Sequence, residues 1–253
     1  MSKVLDFIKK YWITAAIFVA LILLYIFLTE TGKADPFLFP KYDDILKAFS
    51  ASKDLMLVNL WSSLKLMVPS IIISLAIALA LGIIMGLNKK IRDVLHPIIY
   101  AFSVIPSILL SPFALLIAPN FVIASIFLIV YGTVWATLFA TITGIMTIDK
   151  RYLDKAACLE LKGAKKFFKV VIPAASPAIL AGFVNSLRST FVMLVYAEMY
   201  GAHYGMGFFV KKYADFGLYD NVWVGFIFLV IVLVIVMQIF ERIKKHILRW
   251  TIN

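Results

Sequence analysis

The sequence predicts an all-α, polytopic membrane protein with six transmembrane helices, and three observations carry that expectation. Hydrophobic residues make up 63% of the 253 residues, well above the roughly one-half usual in soluble domains. Six apolar windows approach the length of about 20 residues that a helix needs to cross some 30 Å of hydrocarbon. The basic residues gather in alternate connections between those windows. A closed β-barrel is excluded, because its strands alternate apolar and polar residues whereas these runs are apolar on every face.

The first window, 11–28, follows Lys9 and Lys10. It is too long for a secretory signal, and no small-residue cleavage site follows Thr29, so it reads as a retained helix. Residues 30–63 contain Pro36 and Pro40 and read as an external loop ending in a short interfacial helix over 42–49. Asp43 and Asp44 fall in the first turn of that helix, where negative charge suits the helix dipole. The second, third and fourth spans cover 64–87, 97–118 and 121–145. Only Pro119 and Asn120 separate the third from the fourth, which predicts a tight helical hairpin. The fifth and sixth spans cover 174–199 and 222–240. The chain thus divides into 1–63, an N-terminal helix with its external loop, and 64–253, a core of five spans.

The net charge of +11 does not point to nucleic acid, because no basic stripe with interleaved aromatics occurs. Lys3, Lys9, Lys10, Lys89, Lys90, Arg92, the lysines and Arg151 of 147–173, and the tail residues Arg242 to Arg249 all fall on one side. By the positive-inside rule that side is cytoplasmic and holds both termini. The single Cys158 permits no intramolecular disulfide and reads as a small residue in a cytoplasmic helix. Paired carboxylates, metal-ligand spacings and a nucleophile-base arrangement are absent from the sequence, which argues against an enzyme.

The cytoplasmic segment 147–173 reads TIDKRYLDKAACLELKGAKKFFKVVIP. Tyr152, Ala156 and Leu159, then Phe167, Phe168, Val170 and Val171, predict two short helices joined near Gly163. Physics alone leaves two readings: a loop resting on anionic headgroups, or a docking surface for a protein. The segment closes on Val170, Val171, Ile172, Pro173, Ala174 and Ala175, with Pro177 and Gly182 beyond, and after the fifth span come Ala197, Glu198, Met199, Tyr200, Gly201 and Ala202, then Gly205, Met206 and Gly207. These stretches, with Val104, Ile105 and Pro106, resemble the inner-membrane permeases of type I ABC importers, especially the nitrate, sulfonate, taurine and pyrimidine-precursor group. That family carries an EAA-then-Gly cytoplasmic loop. Counting back from Pro173 places Asp154 at its Glu, Lys155 and Ala156 at its two Ala, and Glu160 at its Gly, with a Gly three residues later as Gly163.

The resemblance implies the type I ABC importer permease fold and a mechanism in which the loop is a coupling helix docked on a separate ATPase. The candidate docking segment is 154–163, comprising Asp154, Ala156, Ala157, Leu159, Glu160, Leu161 and Gly163, with Leu159 and Leu161 as apolar contacts. The departure at Glu160 predicts that the bend has moved to Gly163, where φ can be positive at little cost. The chain carries no G-x-x-x-x-G-K-[ST] loop, so it is expected to bind no cofactor, with ATP and Mg²⁺ held by the partner. Expected partners are two ATPase subunits, a second permease subunit (a homodimer being the commoner arrangement in the subgroup), an extracytoplasmic binding protein and membrane lipid. The implied location is the bacterial plasma (inner) membrane.

Two charged residues inside the spans complete the candidate site. Glu198 is the only acidic residue within them; it reads as a gate or pathway group, or as a structural group bonded between helices. Arg188 lies ten residues earlier, about 15 Å along the axis and too far for a direct pair. It reads as a pathway residue for an anion, or as a snorkelling or interhelical group; Asn185, Ser186, Ser189 and Thr190 surround it. Met199 joins Glu198 in the subgroup pattern. His203, Tyr204, Lys211, Lys212, Tyr213, Asp215 and Tyr219 read as contacts for a binding protein or as ordinary membrane-border residues. The rival function, a gradient-driven secondary transporter or channel, expects further intramembrane charges and internal repeats that are not found.

Overall fold

The computed structural model describes residues 2–251, with side chains over 12–250. The backbone of these residues is almost entirely helical. The helices are α1 (Ser2–Glu30), α2 (Tyr42–Leu87), α3 (Lys89–Val104), α4 (Ser111–Ile117), α5 (Phe121–Met146), α6 (Lys150–Cys158), α7 (Gly163–Lys166), α8 (Ile172–Gly201), α9 (Met206–Asp215) and α10 (Tyr219–Ile247). Five helical stretches are long and apolar enough to cross a membrane: 12–30, α2, α5, 163–201 and α10.

Two expectations change. The window 97–118 is not one straight span: α3 and α4 are bent by 81° across a break at Ile105 and Pro106, either a broken span or a re-entrant loop. Pro106 cannot donate to the helical ladder and forces Ile105 out of helical geometry; Ile105 has ψ 117°. The loop and short interfacial helix read over 30–63 are also revised, since α2 is one helix of 46 residues. Nothing in 50–63, SASKDLMLVNLWSS, breaks a helix; the apolar window starts late because of polar residues, not because the backbone turns. The hairpin at Pro119 and Asn120 is present, with Asn120 Oδ1 accepting the Ile123 N–H at 3.0 Å as the N-cap of α5.

The chain forms two compact units. One comprises residues up to 57 with 209–228. Within it Tyr25 donates to the Pro40 carbonyl at 2.8 Å, Trp223 Nε1 to the Leu38 carbonyl at 2.9 Å, and Ser52 to Asn221 at 2.8 Å. The first two bonds tie the 31–41 loop to the helices beside it, and the third ties α2 to α10.

The other unit, 58–208 with 229–253, holds the candidate site. Its centre is the pair α5 and α8, which small residues bring together. A Cβ on Gly182 would collide with Ala140 Cβ and lie 2.8 Å from the Ala136 carbonyl, and one on Gly144 would lie 2.8 Å from Ala178 Cβ. Where the backbones approach, hydroxyls bond across: Ser186 Oγ donates to the Thr133 carbonyl at 2.7 Å and lies 2.7 Å from Thr137 Oγ1. Lipid offers no hydrophobic drive for helix association, so close packing and such hydroxyl bonds hold the pair. Ala124, Leu128, Ile129, Phe191 and Leu194 fill the apolar core around it.

Candidate functional site

The segment between the fourth and fifth spans begins at Asp149, which caps α6. Its Oδ1 accepts the Arg151 N–H at 2.9 Å and its Oδ2 accepts Arg151 Nε at 2.9 Å. The Arg151 side-chain bond, then its backbone N–H, hold the Asp149 carboxyl below its ordinary range. Ala156 is buried and Leu153 half-buried, so α6 rests on that side. Tyr152, Asp154, Ala157 and Cys158 point away, and Leu159 is 71% exposed.

The turn after α6 meets the sequence expectation in part. Gly163 takes a positive φ, 52°, as expected, but the bend has not left Glu160, which also has φ 52°. Leu161 N–H donates to the Ala156 carbonyl and Glu160 N–H to the Ala157 carbonyl, both at 2.9 Å. This is the paired bonding of a Schellman turn, with Glu160 at the position where glycine is usual. The carbonyls to be satisfied lie at the end of α6, so the helix end fixes the left-handed site whichever residue fills it. Leu161 is half-buried, which leaves Leu159 as the exposed apolar tip; Phe168, read from sequence as part of the second short helix and not as a contact, is 68% exposed beyond it.

From Gly163 the helix runs unbroken into the fifth span. Residues Phe167–Val171 form a wider π turn in which Ile172 N–H reaches the Phe167 carbonyl. Pro173, which lacks an N–H, stands just after it, so a regular i→i+4 ladder cannot continue there. The N–H that Pro177 lacks is replaced by Ser176 Oγ, which donates to the Pro173 carbonyl at 2.8 Å.

On α8, Ala181, Asn185, Arg188 and Val192 are exposed while Gly182, Ser186, Leu187 and Thr190 are buried. The exposed set recurs at steps of four and three, one face of the helix. Arg188 Nη1 donates to Asn185 Oδ1 at 2.9 Å.

Glu198 faces elsewhere. It is fully buried, and its Oε2 accepts the Gly207 N–H at 2.8 Å. Ser63 Oγ accepts the Met206 N–H at 2.9 Å and Asn59 Oδ1 accepts the Gly205 N–H at 2.8 Å. Three successive N–H groups at the start of α9 thus meet three acceptors, two from α2 and one from α8, which supplies the capping a buried helix start requires. Gly205 has φ 125°, and a Cβ there would strike the Glu198 carboxyl. The AEM and GMG stretches are therefore the two sides of one contact. Met199 is half-buried beside it. Asn59 and Ser63 were missed in sequence; their sign was an Asn and a Ser four residues apart in an apolar stretch. Among the described residues no cluster of His, Cys, Asp and Glu could hold a metal ion.

Residues 78–253 match the family of binding-protein-dependent transport system inner membrane components. The chain belongs to this family. Among its relatives is SsuC of Bacillus subtilis (strain 168), described as an aliphatic sulfonates transport permease, 26% identical over 64% of this chain and 59% of its own length. Another is the nitrate import permease NrtB of Synechocystis sp., 27% identical over 57% of this chain and 53% of its own length. The chain thus spans less than two thirds of the length of the curated relatives it matches. Its fold is that of a chain in the MetNI methionine ABC transporter, solved in inward-facing conformations, with a TM-score of 0.66 at 18% identity over 78% of this chain and 98% of that one. The chain is thus an inner membrane component by family and shares an all-helical fold with that transporter chain.

Proposed function

We propose that this chain is the membrane-spanning permease subunit of an ATP-driven ABC importer, lying in a bacterial plasma membrane with both termini cytoplasmic. Its docking segment is 154–163, which seats on a separate ATPase subunit. The observation that carries this reading is the exposed Leu159 on a hydrogen-bonded turn outside the spans, joined through α7 to the fifth span without a break. Exposed apolar side chains grouped outside the membrane mark a protein contact, and a helix running straight into a span carries movement of that contact into the membrane. Two ATPases holding ATP and Mg²⁺, a second permease, preferably a second copy, and an extracytoplasmic binding protein complete the assembly. Asp154, Glu160 and the surrounding lysines provide the polar rim of the docking surface.

The test is to purify the tagged chain from its native host in mild detergent and identify the proteins that accompany it. An ATPase is expected with the wild type and should be lost with Leu159→Asp, while membrane insertion is unchanged. Recovery of the ATPase in equal amount with the variant would remove the docking segment; recovery of the chain alone in both cases would favour a gradient-driven transporter.

A further inference from the structure

Arg188 stands at the middle of α8, the seventeenth of its 30 residues, about 20 Å from either end. A guanidinium at that depth facing lipid costs roughly 2.5 to 3.5 kcal/mol on insertion scales, and it is too deep to reach the interface by extending its side chain. Its surroundings are also unlike a lipid face. The exposed residues of α1 include Ile17, Phe18, Leu21, Ile22 and Leu23, whereas the exposed face of α8 around Arg188 carries Ala181 and Asn185 on one side and Val192 on the other. The adjoining Arg188 and Asn185 make the middle of this face polar, suited to water or a polar partner.

Among the described residues none forms an ion pair with Arg188. Its hydrogen bond goes to the neutral Asn185 amide. The one acidic side chain within the spans, Glu198, is fully buried and accepts from the Gly207 N–H. Arg188 offers five N–H donors in a planar fork, and one is used on Asn185. Because the amide oxygen of Asn185 accepts that bond, its NH₂ group remains a donor on the same face, one turn away. Donors without an acceptor suit an oxyanion, which a guanidinium grips through two parallel bonds.

We infer that the solute passing this chain is a small oxyanion, recognised at mid-membrane by Arg188 with Asn185 as its positioning residue. This rests on the importer reading given above, and charge complementarity selects the class: planar or tetrahedral anions of the nitrate or sulfonate type, not cations or neutral solutes. SsuC and NrtB carry sulfonate and nitrate in their names, in keeping with that class.

The test does not depend on the ATPase. The full chain, purified from its host and placed in lipid nanodiscs, is treated with phenylglyoxal in chloride, nitrate or methanesulfonate at equal ionic strength, and modification of each arginine is followed by mass spectrometry. Arg188 should react in chloride and react several-fold more slowly in nitrate, in methanesulfonate or in both, while the exposed Arg151 reacts alike in all three. Which anion protects distinguishes a planar from a tetrahedral ligand. An unreactive Arg188 beside a reactive Arg151, or equal rates in all three salts, overturns the inference. In cells, Arg188→Gln should lower uptake of the protecting anion roughly tenfold or more and Arg188→Lys less so, because a charged hydrogen bond is lost in the first and kept singly in the second. Unchanged uptake in Arg188→Gln also overturns it. Failure of the importer reading shows itself differently, as no ATPase accompanying the wild type, and leaves the protection result standing.

Discussion

At the scale of single residues, the most informative position is Glu160. A side chain at φ 52° is held against a steric cost of about 1 kcal/mol, and glycine there avoids it. Glu160→Gly is expected to stabilise the turn by about 1 kcal/mol, less the entropy that glycine loses on folding. Hydrogen exchange across 156–163 should slow in the variant; faster exchange would contradict the steric account. Sequence counting had set Glu160 on the family's glycine position, and the fault was to suppose that a missing glycine moves the turn. Glu198 was legible as a buried acid but not as a cap, because the two acceptors that complete the cap, Asn59 and Ser63, lie 146 and 143 positions from the N–H groups they accept.

At the scale of elements, α6 is only nine residues long, too short to persist unaided, so its caps matter more than its propensity. Asp149 holds its start, and the Arg151 bonds lower the Asp149 pKa in the folded state. A lowered folded pKa gives a contribution that is present above the unfolded carboxylate value and lost as pH falls through the folded one. Amide protection of 150–153 in the purified chain should therefore decline on acidification below the ordinary carboxylate range, and Asp149→Asn should flatten that decline. A decline of equal size in the variant would assign it to other groups. The first short helix and the joint near Gly163 were readable from the spacing of Ala156, Leu159 and Phe167, but the second is not separate, since the helix from Gly163 runs on into the fifth span. The π turn was not, since its cause, Pro173, reads equally well as the first residue of a plain helix.

At the scale of the whole molecule, apolar windows located every long span, because hydrocarbon thickness sets a length that composition reveals directly. They failed where polarity and backbone geometry part company. The polar stretch before Ser63 hid a continuous α2, and the apolar stretch across Pro106 hid an 81° bend. Helix pairing was hidden altogether, since small residues serve packing and flexibility alike. The contact of Gly182 with Ala140 and the Ala136 carbonyl leaves no space for even one methyl group. Gly182→Ala should lower the thermal midpoint of the purified chain by an amount corresponding to about 1 to 3 kcal/mol, and Gly182→Leu should prevent recovery of folded protein. A midpoint unchanged by Gly182→Ala would mean that α5 and α8 separate freely there.

The π turn at Phe167–Val171 also fixes a phase. One residue of an α-helix corresponds to a rotation of about 100°, so the wide turn sets the azimuth of the exposed Leu159 relative to the Arg188 face. Deleting Val170 would tighten that turn and swing the two out of register while leaving both surfaces chemically intact. The length of this one turn thus fixes the angle between the two surfaces, adjustable by a single codon.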